Sequence, residues 1–102
     1  MYSIFRTSSF KKQYKKLTIN ERELLKEVII LLAKKSVLDE KYKDHKLTGN
    51  FKDLRECYVK PDLLLIYKIN DDILELALVQ VGNHNSLFKW FEIIFTAKIF
   101  TK

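Results

Sequence analysis

The sequence predicts an α+β fold: one strand, two helices, then three antiparallel strands, with both helices packed on one side of a small sheet. Three observations predict it. Apolar residues recur at helical spacing from Phe10 to Leu32. From Leu54 to Val81 they alternate or run together as strands do, with Pro61 and the Asn70-Asp71-Asp72 cluster as breaks. Short turns between consecutive strands require antiparallel pairing, and two amphipathic helices in succession need a flat apolar surface to cover.

Residues 2–7 hold the β-formers Tyr2, Ile4 and Phe5, which predicts the first strand. Ser8 and Ser9 follow as candidate helix N-caps. Phe10, Tyr14 and Leu17 then share one helical face, while Lys11, Lys12, Lys15 and Lys16 point elsewhere. Thr18 and Glu21 have the spacing of a capping box, opening a second helix with Leu24, Leu25, Val28, Ile29, Leu31 and Leu32 as its apolar set. Lys34 and Lys35 complement the macrodipole at its C-terminal end.

Residues 39–52 read as an ordered polar loop, turned at Gly49 and anchored by Tyr42, Leu47 and Phe51. Residues 54–59, 63–69 and 73–81 are the three strands; the middle one, almost wholly apolar, is central. Gly82 ends the last, and residues 83–86 form a polar corner before Leu87 and Phe88. The sheet face away from the helices is expected to be free for a substrate. Residues 89–102 form an apolar C-terminal extension compatible with a helix, an extra strand or a partly exposed segment.

A length of 102 residues with 47% hydrophobic content gives one domain with a modest core. The net charge of +6 points to an acidic partner. The first 16 residues hold five basic side chains and no acid. Cys57 is the lone cysteine, so no internal disulfide forms; it reads as a small core filler in a chain suited to the reducing cytoplasm. No run approaches the ~18 apolar residues of a membrane span, and no apolar core of a signal peptide opens the chain, so no membrane partner is expected.

The only histidines are His45 and His84, each in a polar segment, and Asp62 stands at the start of the central strand. RNA cleavage gives such a set a use. A 2′-hydroxyl must lose a proton, a departing 5′-oxygen must gain one, and imidazole titrates near neutrality. Basic side chains oppose the charge of the phosphorane, and an aromatic ring stacks an unpaired base. The scattered positions of His45, Asp62 and His84 lack the close spacing of a zinc site, so neither metal nor cofactor is expected.

Three blocks carry a more specific signal: residues 42–49 (YKDHKLTG), 55–67 (RECYVKPDLLLIY) and 82–88 (GNHNSLF). In this order they resemble the YafQ group of the RelE/ParE toxin superfamily. The resemblance implies a RelE-like fold over residues 1–88, with 89–102 as an extension. It also implies the toxin of a type II toxin–antitoxin system, a ribosome-dependent endoribonuclease that cuts messenger RNA in the ribosomal A site and touches ribosomal RNA. The implied partner is a cognate acidic antitoxin, through which alone the toxin meets operator DNA.

Residue by residue, the resemblance implies that His84 is the general acid and that His45 and Asp62 are general base and support. Phe88 orients a base, and Arg55, Tyr58 and Lys46 line the substrate; for Arg55 a structural ion pair with a neighbouring carboxylate is an equal alternative. The chain departs from the group's pattern at Tyr58, where histidine is common, and in the fourteen residues after Phe88. Tyrosine, with a reference pKa near 10, is a poor base at neutral pH. A gyrase-directed, ParE-like toxin and a non-catalytic binder are the competing readings. The first lacks the paired His and Asp, and the second gains from Tyr58.

Overall fold

The computed structural model describes residues 1–51 and 53–87, with residue 50 described in its backbone only. Phe88 and the extension expected over residues 89–102 lie outside the described residues. The elements are β1 (Ser3–Arg6), α1 (Ser8–Tyr14), α2 (Ile19–Ala33), β2 (His45–Lys46), β3 (Arg55–Lys60), β4 (Leu63–Asn70) and β5 (Glu75–Gly82). Two 3₁₀ turns, Glu40–Tyr42 and Gly49–Phe51, flank β2. No described helix is long and apolar enough to cross a membrane.

The sheet order is β1-β5-β4-β3-β2. The β3–β4 and β4–β5 pairs are antiparallel, as the short turns require, whereas β1 lies parallel to β5 because the helical hairpin returns the chain to the sheet. The sheet has one strand more than expected. His45 and Lys46 pair with Glu56 and Arg55 inside the ordered polar loop expected over residues 39–52. Two residues are too few for period-2 alternation to show, and only tertiary pairing makes them a strand.

Helix α1 is capped by Thr7, whose hydroxyl accepts from the Phe10 amide at 3.0 Å, and Ser8 and Ser9 already lie within the helix. Thr7 still has extended backbone as the last residue leaving β1, which is what a cap needs. It also donates to the Val79 carbonyl at 2.7 Å, tying the helix start to β5. The helix stops at Tyr14, so Leu17 joins the core from the connection beyond it.

The capping box of α2 is complete: the Glu21 amide donates to the Thr18 hydroxyl at 3.1 Å, and the Thr18 amide donates to the Glu21 carboxylate at 2.9 Å. The helix buries Leu25, Val28 and Leu32 against the sheet. At about 1.5–3 kcal/mol for each such side chain, packing outweighs the few tenths contributed by helix propensity. The facing sheet residues are Cys57, Val59, Leu65, Tyr67, Leu76 and Leu78. Lys35, in left-handed conformation at φ 63°, closes the helix while the Ser36 amide donates to the Leu31 carbonyl.

The opposite face of the sheet is less open than the sequence suggests. Leu64, Ile66 and Leu87 are buried there, with Leu47, Leu54, Tyr58 and Val79 packed against them. An all-apolar β4 needs cover on both faces, and the chain after β5 returns Leu87 to supply part of it. The β4–β5 turn is longer than read: Ile73 and Leu74 belong to it, Leu74 at φ 50°, and β5 begins at Glu75.

The Glu21 carboxyl sits below its usual range, first because of the Thr18 backbone and then because of Lys60, 3.2 Å away. A lowered folded-state value gives stability that is present above the ordinary carboxylate range and is lost as pH falls through the folded value. Thr18→Ala is expected to lower unfolding free energy by about 1 kcal/mol. In urea titrations from neutrality down to acid, Glu21→Gln is expected to be less stable than the parent chain at neutral pH. The gap should close on acidification.

Candidate functional site

Alternation along β3 sorts the candidate residues onto two faces. Arg55, Cys57 and Val59 turn one way and Glu56 and Tyr58 the other. On the β2 partner, His45 stands opposite Glu56 and Lys46 opposite Arg55. His45 is therefore on the face of Glu56 and Tyr58, and Lys46 on the face of Arg55.

On the first face, Arg55 donates to Asp44 at 2.9 Å and to the Tyr67 hydroxyl at 3.2 Å, and Tyr67 donates to Asp44. The Asp44 carboxylate holds the Arg55 guanidinium above its usual value, and burial with Asp44 pushes the Tyr67 phenol up. Of the two readings open for Arg55, the ion pair is the one present. The network locks the loop before β2 onto the sheet, which fixes His45 one residue further on. Arg55 and Lys46 thus stand apart from the histidines that they were expected to accompany.

On the second face, the His45 Nδ1 lies 2.7 Å from the Lys43 carbonyl oxygen. A carbonyl only accepts, so Nδ1 carries the hydrogen. The His45 Nε2 then looks along the sheet face, 3.4 Å from a Glu56 carboxylate oxygen. The Tyr58 hydroxyl meets the His84 Nε2 at 3.3 Å, with ring centroids 5.7 Å apart, and the Lys43 ammonium lies 5.6 Å over the Tyr58 ring. His45 and His84 are thus both attached to one face of β3, through neighbours two residues apart, a strand distance of roughly 7 Å.

His84 reaches this place because residues 84–87 turn helical after β5 and Leu87 is buried beneath them. The Ser86 amide donates to the Asn83 side chain at 2.9 Å, capping that turn. Asp62 is exposed in the β3–β4 turn. Leu64 pairs with Gly82, so Asp62, two residues before, and His84, two residues after, leave the sheet at the same end. Sequence reasoning missed Glu56 and Lys43. The usable signal for Glu56 was its alternation with Tyr58, hidden because β2 was not foreseen.

This is a basic α+β domain with two imidazoles, a phenol and a carboxylate along one sheet face. The comparisons give the class: a family described as bacterial toxin of type II toxin–antitoxin system, YafQ, matches residues 2–89. The chain belongs to that family, and is a toxin of a type II toxin–antitoxin system. It is 40% identical over 65 residues to the mRNA interferase toxin YafQ of Escherichia coli K12, covering 63% of this chain and 68% of that one. A metal-bound toxin from Helicobacter pylori is 40% identical, with 85% of this chain and 99% of that one covered and a TM-score of 0.76. YafQ in the E. coli DinJ–YafQ complex is 32% identical, with 86% and 99% covered and a TM-score of 0.72.

Asp44→Asn is expected to destabilise the fold by about 1–3 kcal/mol, since it removes the charge that both Arg55 and Tyr67 face; thermal unfolding checks this. Burial pushes the Cys57 thiol up to about 12. Its alkylation near pH 8 should therefore be negligible in the folded protein and complete in denaturant, as read by mass spectrometry.

Proposed function

We propose that this toxin is a ribosome-dependent endoribonuclease that cleaves messenger RNA in the A site by metal-independent acid–base chemistry. The observation that carries the reading is the attachment of His45 and His84 to one face of β3. The neighbours that they contact, Glu56 and Tyr58, stand two positions apart on one strand, and in this reading one phosphodiester laid along that face meets both rings.

In this reading the His45 Nε2 takes the proton of the 2′-hydroxyl. The 2′-oxygen bonds to the neighbouring phosphorus, and the bond from phosphorus to the 5′-oxygen breaks. His84 gives a proton to that leaving oxygen. The products are a 2′,3′-cyclic phosphate and a 5′-hydroxyl. Tyr58 orients His84 and replaces the family's second imidazole with a hydrogen-bonding phenol, which leaves His45 as the base. Lys43 brings positive charge to the face, Asp62 supports the end where His84 sits, and Phe88 stacks a base.

The relative solved with DinJ supports an antitoxin as partner; in this reading the antitoxin is cognate and acidic, neutralises the toxin in the cytoplasm and links it to operator DNA. A groove of about 780 Å³ between β1, α1 and α2 suits an acidic amphipathic segment. Its floor includes Phe10, Ile29 and Leu78, and its rim carries Arg6, Lys11, Lys15, Arg22 and Lys26, with no acid among the described residues that line it. An apolar floor under a cationic rim fits a folding peptide better than a phosphate backbone.

His84→Ala is expected to lower cleavage of translated messenger RNA by 10²–10⁴-fold while leaving the circular dichroism spectrum unchanged. Full activity in that variant would remove the reading. Reversing charge at Lys11 and Lys15 together is expected to weaken antitoxin binding at least about tenfold and to flatten its salt dependence. Calorimetry at two ionic strengths measures both effects.

A further inference from the structure

Strand β2 stops after two residues and pairs only with Arg55 and Glu56 of β3. Over residues 57–60, β3 therefore has β4 on one side and no strand on the other among the described residues. The 3₁₀ turn Glu40–Tyr42 and the first half of α2 stand by this edge and enclose a second groove of about 490 Å³, a size in the range of small-ligand sites. The groove wraps round the edge, since Tyr58 belongs to the site face and Val59 to the helix face.

Two kinds of group line it. Tyr42 and Tyr58 contribute rings, and Lys41 and Lys43 contribute charge. Lys60 also lines the groove but is paired with Glu21 at 3.2 Å, and Glu27 is the one acid among the described lining residues. Tyr42 is half-buried and packs against the main core, which fixes its ring. Each ring has a lysine beside it: the Lys41 ammonium is 5.1 Å from the Tyr42 centroid, and that of Lys43 is 5.6 Å from the Tyr58 centroid. A flat ring next to a cation suits an unpaired nucleotide, with the base stacked on the ring and a phosphate near the ammonium. An acidic peptide would use the charge and leave the flat faces without a role.

The groove joins the proposed cleavage face through Tyr58, whose hydroxyl is 3.3 Å from the His84 Nε2. The order along β3 gives a direction. His45 stands by Glu56, His84 stands by Tyr58, and the groove continues over residues 58–61. In the proposed reaction His84 protonates the leaving 5′-oxygen, so the departing nucleotide lies beyond His84. We propose that this groove binds the nucleotide on the 3′ side of the cut, with its base against Tyr42 and its next phosphate near Lys41. The inference rests on the nuclease reading and adds to it a subsite for the leaving nucleotide.

The test pairs a change in the protein with a change in the RNA. Tyr42→Leu removes the flat ring and keeps an apolar side chain for the core, and Tyr42→Phe keeps the ring. Cleavage on programmed ribosomes is measured with an intact messenger and with one that lacks only the base after the cut. On the intact messenger, Tyr42→Leu is expected to raise KM about tenfold with kcat little changed, and Tyr42→Phe to match the parent chain. On the messenger without that base, the parent chain is expected to fall to the level of Tyr42→Leu, and the substitution to cost nothing further. Equal KM values for Tyr42→Leu and the parent on the intact messenger, or losses that multiply when both changes are combined, overturn the inference. Multiplying losses together with weaker antitoxin binding by Tyr42→Leu give the groove to the antitoxin. An uncleavable 2′-deoxy trinucleotide reads the groove without ribosomes. It is expected to shift the amide resonances of Lys41 and Tyr42, and Tyr42→Leu to abolish those shifts; shifts confined to other parts of the protein overturn the inference. A parent chain that shows the expected shifts and cuts nothing on ribosomes overturns the nuclease reading alone.

Discussion

Side-chain alternation along β3 is the constraint from which the rest of the arrangement follows. Cys57 and Val59 face the two helices and join the main core, while Glu56 and Tyr58 face the other way and carry the two imidazoles. A slip of one residue in the pairing of β3 with β4 would bury Glu56 and Tyr58 against α2 and expose Cys57. Such a slip is opposed because it would place the Glu56 carboxylate among the apolar side chains that now surround Cys57 and Val59. Stability and the site are therefore set by one register.

The loop before β3 depends on the same strand. Asp44, Arg55 and Tyr67 form a closed set of hydrogen bonds on the helix-facing side. On the opposite side, His45 is held at Nδ1 by the Lys43 carbonyl of the loop, which leaves Nε2 on the sheet face, 3.4 Å from Glu56 of β3. Adjacent residues in β2 thus divide the labour, with Lys46 and Arg55 on one face and His45 and Glu56 on the other. A histidine in an otherwise exposed loop acquires a fixed direction without being buried.

Much of this was legible in the chain. The capping box at Thr18 and Glu21, the apolar stripe of α2 and the central position of β4 follow from spacing and polarity, and the family follows from three short blocks. What was hidden is tertiary. Two-residue β2 has no periodicity to read, and the cap of α1 is Thr7 instead of Ser8 because the strand determines where the helix starts. Arg55 looks like a phosphate ligand in sequence because nothing local says that Asp44, eleven residues earlier, faces it. Glu56 was invisible for the converse reason, since its importance lies in what stands across the ladder.

The account's central claim is that the oxygen attacking phosphorus belongs to the RNA itself, with His45 and His84 moving protons on either side. End-group analysis of a messenger cut on the ribosome, with a single 2′-deoxy nucleotide placed before the scissile bond as control, tests this most directly. The account predicts a 2′,3′-cyclic phosphate and a 5′-hydroxyl, and no cleavage at the deoxy position. A 5′-phosphate product, or undiminished cutting after the 2′-deoxy nucleotide, would contradict it.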